Sequence, residues 1–266
     1  MPQLQTDRIK LFYEMQGEGD NLLFISGTGG DLRFSPNAFD NNLKDNFCLL
    51  AFDQRGLGQS QILKGPYTMK DYADDAYSLL EEIGWKETNV IGVSFGGMVA
   101  QHLAIEYPEK VKKLALLCTS PGGKDYHSYP LHELESIIDD NEYAKKFVSI
   151  SDTRINEEFI KANPELYENI VNQIKSYLRA SGKKKNDGKL LQLEARKNHD
   201  TCKNLKNIKC PTFIAGGLFD DIAPKDNIDI LNNLIMNSKK KFYKGGHAFF
   251  LEDPKAWEDI INFFKD

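Results

Sequence analysis

No stretch of this chain is apolar over the length a membrane span requires. The opening Met1-Pro2-Gln3-Leu4-Gln5-Thr6-Asp7 lacks the basic region followed by an apolar stretch that marks a secretory signal, so a cytoplasmic protein is expected. Cysteine is scarce. Cys48, Cys118, Cys202 and Cys210 form no CxxC pair and no metal-ligand spacing, which argues for reduced thiols and against a disulfide framework or a bound metal. Neither sign of charge dominates: 34 Lys and Arg against 39 Asp and Glu leave a net charge of −5, which disfavours nucleic acid or an anionic membrane as a partner. The runs Lys183-Lys184-Lys185 and Lys239-Lys240-Lys241 read as a solvated loop and a strand entry. Internal repeats and low-complexity tracts are also missing. What is present is 266 residues, 41% of them hydrophobic, enough for one domain with a large core.

Strand-like and helix-like patterns alternate along the chain, which implies βαβ units and a mainly parallel sheet. Ile9 to Gln16, Leu22 to Ile25 and Phe47 to Phe52 read as strands. Tyr72, Ala76, Leu79, Leu80 and Ile83 fall at helical spacing between Lys70 and Ile83. Val111 to Cys118 is a further strand, after which the alternation stops. From Pro121 to about Asn207 the pattern is helical and charged, with helical periodicity over Leu131 to Ile138, Glu142 to Ile150 and Pro164 to Leu178. The βα pattern resumes at Ile208.

Between the apolar run Asn89-Val90-Ile91 and the amphipathic run Met98 to Tyr107 stands Gly92-Val93-Ser94-Phe95-Gly96-Gly97. A serine hydroxyl is a weak nucleophile and has to be held exposed on a tight turn, next to a base. Gly92 and Gly96 remove the Cβ atoms that would collide where a strand and a helix pack around such a turn. Ser94 is therefore the candidate nucleophile. His247 follows the strand-like Lys241-Phe242-Tyr243-Lys244, in the Gly-rich loop Gly245-Gly246-His247 and ahead of a closing helix around Trp257 to Phe264. A lone histidine is more often structural. Its loop placement, and its order after Ser94, make His247 the candidate general base, whereas His102, His127, His132 and His199 lack that context.

An orienting acid is expected between them, after the strand-like Cys210 to Ala215. Asp220, four residues before Pro224 in a Gly-x-x-Asp-x-x-x-Pro pattern, is favoured. Asp221 is the alternative, either as a cap for a helix starting near Pro224 or as a solvated side chain, and Asp125 is a weaker one. Two backbone N–H groups are needed to receive the developing oxyanion. The candidates are Phe95, immediately after Ser94, and Thr28, in the loop Ser26-Gly27-Thr28-Gly29-Gly30-Asp31 after an early strand.

These residues resemble the α/β-hydrolase superfamily over most of the chain, from Arg8 to the C-terminus. The turn Asp53-Gln54-Arg55-Gly56-Leu57-Gly58-Gln59-Ser60 resembles the family's Asp-x-Arg-Gly-x-Gly-x-Ser turn, and an Asp/Arg pair is expected to fix that loop beside the active site. Many members carry His-Gly before the oxyanion donor. This chain has Ser26-Gly27 there, and it lacks the His-Gly-Gly-Gly of lipases. The resemblance implies an α/β fold with a mostly parallel eight-stranded sheet flanked by helices. Residues 1–120 and 208–266 would form the core, and residues 121–207 an inserted helical cap. Tyr126, Tyr129, Tyr143, Phe147, Phe159 and Tyr167 are expected to form the cap's own packing more than to line a pocket.

The implied activity is that of a serine hydrolase, similar to carboxylesterases and to 3-oxoadipate enol-lactonase-like hydrolases. It would cleave a small-molecule acyl substrate without a metal or organic cofactor. The same residues would also suit a carbon–carbon bond hydrolase or an acyltransferase. A ligand-binding receptor on a hydrolase fold is the non-enzymatic alternative.

Overall fold

The computed structural model describes residues 3–126, 128–180 and 187–266. In chain order they form β1 (Gln3–Gln5), β2 (Lys10–Gln16), β3 (Asn21–Ile25), β4 (Cys48–Phe52), α1 (Met69–Ile83), β5 (Thr88–Val93), α2 (Phe95–Glu106) and β6 (Val111–Leu117). Five helices follow, α3 (Leu131–Leu134), α4 (Asp140–Ser151), α5 (Glu157–Ala162), α6 (Pro164–Ala180) and α7 (Asp187–Lys197). The chain closes with β7 (Thr212–Gly217), α8 (Lys225–Leu234), β8 (Ser238–Tyr243), α9 (Phe249–Glu252) and α10 (Pro254–Lys265).

The eight strands make one sheet in the order β1-β2-β4-β3-β5-β6-β7-β8. β2 runs antiparallel to both β1 and β4, and every later pairing is parallel. β5 lies inside the sheet with all six residues buried, as a strand covered on both faces must be. Successive side chains point to opposite faces. Leu23, Val90, Leu114 and Ile214 accordingly pack under α1, α2 and α8. Leu22, Ile91, Ala115 and Phe213 meet Trp257, Ile260 and Phe263 of α10 on the other side.

Local chemistry sets the boundaries. Thr68 and Asp71 form a reciprocal capping box at the start of α1, and Gly84, at φ 81°, ends the helix in the left-handed conformation that glycine adopts without strain. β7 begins at Thr212, because Pro211 has no N–H to give to a ladder. The N-terminal β1 carries too short a pattern to be read from sequence. The helix expected over Leu131 to Ile138 closes after Leu134, its continuation being single turns before Asp139 caps α4 through the N–H groups of Asn141 and Glu142. α5 and α7 add to the three helices that periodicity marked.

Helices α3 to α7 occupy the interval between β6 and β7 and have small cores of their own. Leu131, Leu134, Tyr143, Ile150 and Leu178 make one, and Ala144, Val148, Tyr167 and Val171 another. Tyr143 stacks on Phe147 and Tyr129 packs against the first cluster, so these aromatics serve helix packing, whereas Tyr126 is exposed. Lys183-Lys184-Lys185 lies outside the described residues. Lys240 and Lys241 of the second lysine run pair with Asp229 and Asp259. Among the described residues no helix is long and apolar enough to cross a membrane.

The turn after β4 departs from expectation. Asp53 does not pair with Arg55. Its two carboxylate oxygens accept the N–H groups of Leu32 and Gln59 at 2.7 and 2.8 Å. Burial raises its pKa to about 6. Arg55 instead makes a side-on pair with Asp75 of α1, at 2.7 and 2.6 Å, with Tyr67 and Tyr72 against its guanidinium. A buried arginine needs a carboxylate close by, and the helix provides it where the turn's own aspartate is committed to backbone.

His102 of α2 and His199 join the inserted segment to the core. His199 Nε2–H donates to the Ser120 carbonyl at 3.1 Å, which leaves Nδ1 to accept from His102 Nε2–H at 3.3 Å. Both rings are neutral in this arrangement, and burial pushes their pKa values down to about 4 for His102 and about 3 for His199. The unfolded chain protonates both near 6.5, so it binds more protons than the fold between about pH 6.5 and 3. This contribution to stability is complete above pH 6.5 and is lost as pH falls through that window. The melting temperature measured from pH 7.5 to 4.5 is expected to fall, and to fall less steeply in His102→Gln, whose amide N–H still serves His199. Parallel curves for the two proteins would contradict the assignment.

Candidate active site

Ser94 is the residue between β5 and α2, at φ 54° and ψ −114°. A non-glycine residue there carries strain of about 1–3 kcal/mol and stays only because its surroundings enforce it. Ser94 N–H donates to Leu117 O at 2.8 Å, and the Ser94 carbonyl accepts Thr119 Oγ1–H at 2.7 Å and Gly97 N–H at 2.9 Å. The flanking glycines permit the approach. A Cβ on Gly92 would lie 2.4 Å from Gly96 O, and one on Gly96 would lie 2.0 Å from Ile25 O.

Asp220 and His247 sit on the loops after β7 and β8, whose C-terminal ends lie on the same side of the parallel sheet as the end of β5. His247 Nδ1–H donates to Asp220 Oδ2 at 2.8 Å, and Ser94 Oγ lies 3.0 Å from His247 Nε2. The other Asp220 oxygen accepts the N–H groups of Ile222 and Ala223 at 2.8 and 2.9 Å. The carboxylate is buried and held at both ends, which fixes the imidazole tautomer so that Nε2 faces the serine. Asp221 is exposed, and α8 starts after Pro224 with no side-chain cap, so the capping alternative does not apply. Asp125 lies exposed in a turn.

α4 ties the two loops together, which the sequence did not signal. Its C-terminal residues offer Ile150 O to Asp221 N–H at 3.1 Å and Ser151 O to His247 N–H at 2.7 Å. Just beyond, Thr153 N–H donates to Phe219 O at 2.9 Å. Arg154 extends this seam by pairing with both Asp152 and Glu252, and Glu252 accepts Gly246 N–H at 3.0 Å. The bonds from Ile150, Ser151 and Thr153 use main-chain atoms of residues that read only as helix end and loop.

Phe95 opens α2, so its N–H has no acceptor within the helix, as for any first-turn residue. Thr28 stands in a turn closed by Gly30 N–H to Gly27 O at 3.1 Å, with Gly29 at φ 65°. A Cβ on Gly27 would lie 3.5 Å from Ser94 Cβ, so this loop packs directly against the turn at Ser94. The loop carries no His-Gly. It is braced by two glutamines instead. Gln54 Nε2 donates to Ser26 O at 2.8 Å, and Gln192 Oε1, from α7, accepts Gly29 N–H at 2.7 Å. Gln54 lay within a recognised turn, whereas Gln192 sits in a charged helical stretch with nothing to mark it.

Two cavities lie near the two ends of this region, neither lined by Ser94 or His247. One, of about 190 Å³, is lined by Met98, Ser120 and Arg196 among others. The second, of about 170 Å³, is lined by Gly27, Gly30, Val93, Phe250 and Trp257 among others. Among the described residues no group of three or more His, Cys, Asp or Glu is arranged to hold a metal ion, and all four cysteines are free.

Comparison with known proteins agrees with this architecture. A poly(3-hydroxyalkanoate) depolymerase from Ectopseudomonas oleovorans is 30% identical over 242 residues, 90% of this chain and 82% of that protein. The 3-oxoadipate enol-lactonase 2 of Acinetobacter baylyi is 22% identical over 97% of this chain and 94% of its own length. The enol-lactonase of Burkholderia xenovorans LB400 superposes with a TM-score of 0.80 at 21% identity, each chain covered completely. The family model for the alpha/beta hydrolase fold matches residues 20–254. With that match spanning β3 to β8, the elbow and both loops, the chain belongs to the α/β-hydrolase family.

Proposed function

We propose that this protein is a serine hydrolase that cleaves a small carboxylic ester or lactone through an acyl-enzyme on Ser94. The observation that carries the reading is the Asp220–His247–Ser94 chain of hydrogen bonds, at 2.8 and 3.0 Å, ending on a serine held in a strained elbow. The relatives' names point to the same bond class, since one is a lactonase and another depolymerises poly(3-hydroxyalkanoate).

Ser94 Oγ attacks the carbonyl carbon while His247 Nε2 takes its proton. Asp220 holds the ring and stabilises the imidazolium. The N–H groups of Phe95 and Thr28 receive the oxyanion, the first at the open end of α2 and the second in the glutamine-braced loop. Collapse expels the alkoxide, which takes the proton from Nε2. Water, deprotonated by His247, then attacks the acyl-enzyme to release the acid and restore Ser94. No step requires a metal or an organic cofactor. Helices α3 to α7 serve as a cap that excludes water and shapes the pocket.

Hydrolysis of p-nitrophenyl butyrate tests this. Ser94→Ala and His247→Ala are expected to lose at least about 10⁴-fold in kcat, and Asp220→Asn about 10³–10⁴-fold, with unfolding temperatures near that of the wild type. A folded wild type that turns over no ester would contradict the reading. Gly246→Ala tests the seam. Its Cβ would stand 2.3 Å from Ser151 O and 2.8 Å from Asp152 Cβ, so the loop carrying His247 must move. A loss of about 10²-fold in kcat is expected from a displacement of about 1 Å. Unchanged turnover would show that the α4 contact does not position the base.

A further inference from the structure

Consecutive peptide groups of the loop after β3 are each tied down by a different partner. Gln54 Nε2–H donates to the Ser26 carbonyl at 2.8 Å, which fixes the peptide joining Ser26 to Gly27. Gln192 Oε1 accepts the Gly29 N–H at 2.7 Å, which fixes the peptide joining Thr28 to Gly29. Between them lies the peptide joining Gly27 to Thr28, whose carbonyl accepts the Gly30 N–H at 3.1 Å. In a trans peptide the N–H points opposite to the carbonyl, so the Thr28 N–H is turned out of this small turn. No group of the described residues accepts it.

The two glutamines come from different layers, Gln54 from the turn after β4 and Gln192 from α7 among the inserted helices. Both are buried, and the far ends of their amides, Gln54 Oε1 and Gln192 Nε2, have no partner among the described residues. An apolar side chain would fill either place without burying an idle polar atom. Each glutamine therefore keeps an unfavourable buried end for the sake of the single bond it makes to this loop.

The loop so held lies against the turn at Ser94. A Cβ on Gly27 would stand 3.5 Å from Ser94 Cβ, and one on Gly96 would stand 2.6 Å from Ser26 O. Thr28 N is bonded to the carbonyl carbon of that same Gly27. We infer that Gln54 and Gln192 are positioning residues that aim the Thr28 N–H at the oxyanion formed on Ser94, each through the peptide it holds. This rests on the serine-hydrolase reading and adds that one donor of the oxyanion hole is set from the inserted helices, by Gln192. Neither glutamine touches the reacting atoms.

Gln54→Met and Gln192→Met each remove one of these bonds and keep an unbranched side chain of similar length. With p-nitrophenyl butyrate each is expected to lose about 10²-fold in kcat, the scale of a misplaced oxyanion donor, with KM within about 3-fold of the wild type. The double variant should lose little more than the worse single one, since both bonds act through one N–H. Butylboronic acid, which forms a tetrahedral adduct on a serine Oγ, should bind each variant more weakly in step with kcat/KM. A kcat within about 3-fold of the wild type in both variants, or boronate affinity unchanged while kcat falls, would overturn the proposal. NMR of the wild type needs no variant: the Gly29 amide proton should exchange slowly, and the Thr28 amide proton should move downfield when butylboronic acid binds. A Thr28 amide proton unmoved by the adduct would reject the proposal while leaving Ser94 as the nucleophile. A folded wild type that neither turns over the ester nor binds the boronate would remove the serine-hydrolase reading itself, and this proposal with it.

Discussion

The structure turns on the close approach of β5, α2 and the loop after β3 at Ser94. Gly92 and Gly96 bring backbone against backbone at distances no side chain allows, Gly97 lies against the Thr119 side chain, and Ser94 is left at a positive φ between them. The strain there is small beside the burial of β5, all of whose residues are covered, and the ladder bond to Leu117 together with the Thr119 hydroxyl holds the turn. One constraint thereby sets three features. Ser94 stands at the end of the central strand, α2 starts at the next residue, and the loop of Thr28 is drawn against Ser94.

The inserted helices are part of the framework that holds the loops of Asp220, His247 and Thr28. α4 joins the Asp220 and His247 loops through carbonyls at its C-terminal end, and α7 reaches the Thr28 loop through Gln192. Gly188, at the start of α7, packs so closely on Gly56 that a Cβ would lie 1.8 Å from Gly56 O. A movement of these helices would therefore shift His247, Asp220 and the Thr28 loop together.

Much of this was legible in the sequence because the relevant signals are local. Glycines around a serine between a strand and a helix specify the elbow through sterics. The loop positions of Asp220 and His247 follow from parallel topology, which brings the C-terminal ends of consecutive strands to one edge. The Arg55 pairing was misread, because the turn places Asp53 near in sequence while the sheet sends that carboxylate to the Leu32 and Gln59 amides and α1 brings Asp75 instead. Gln192 and the Ile150–Thr153 seam were not visible at all. Their roles depend on which face of a helix meets the core, and α7 has neighbours on several sides. Main-chain donors and acceptors carry no residue signature.

The account stands on Ser94 as an activated nucleophile, and a fluorophosphonate probe followed by intact mass and peptide mapping tests that step without any assumption about substrate. The prediction is one adduct per chain, on Ser94, formed quickly in the wild type and abolished in His247→Ala. A folded protein that takes no label, or labels elsewhere at the same rate with His247 removed, would contradict the assignment and leave the hydrogen-bonded triad without a catalytic role.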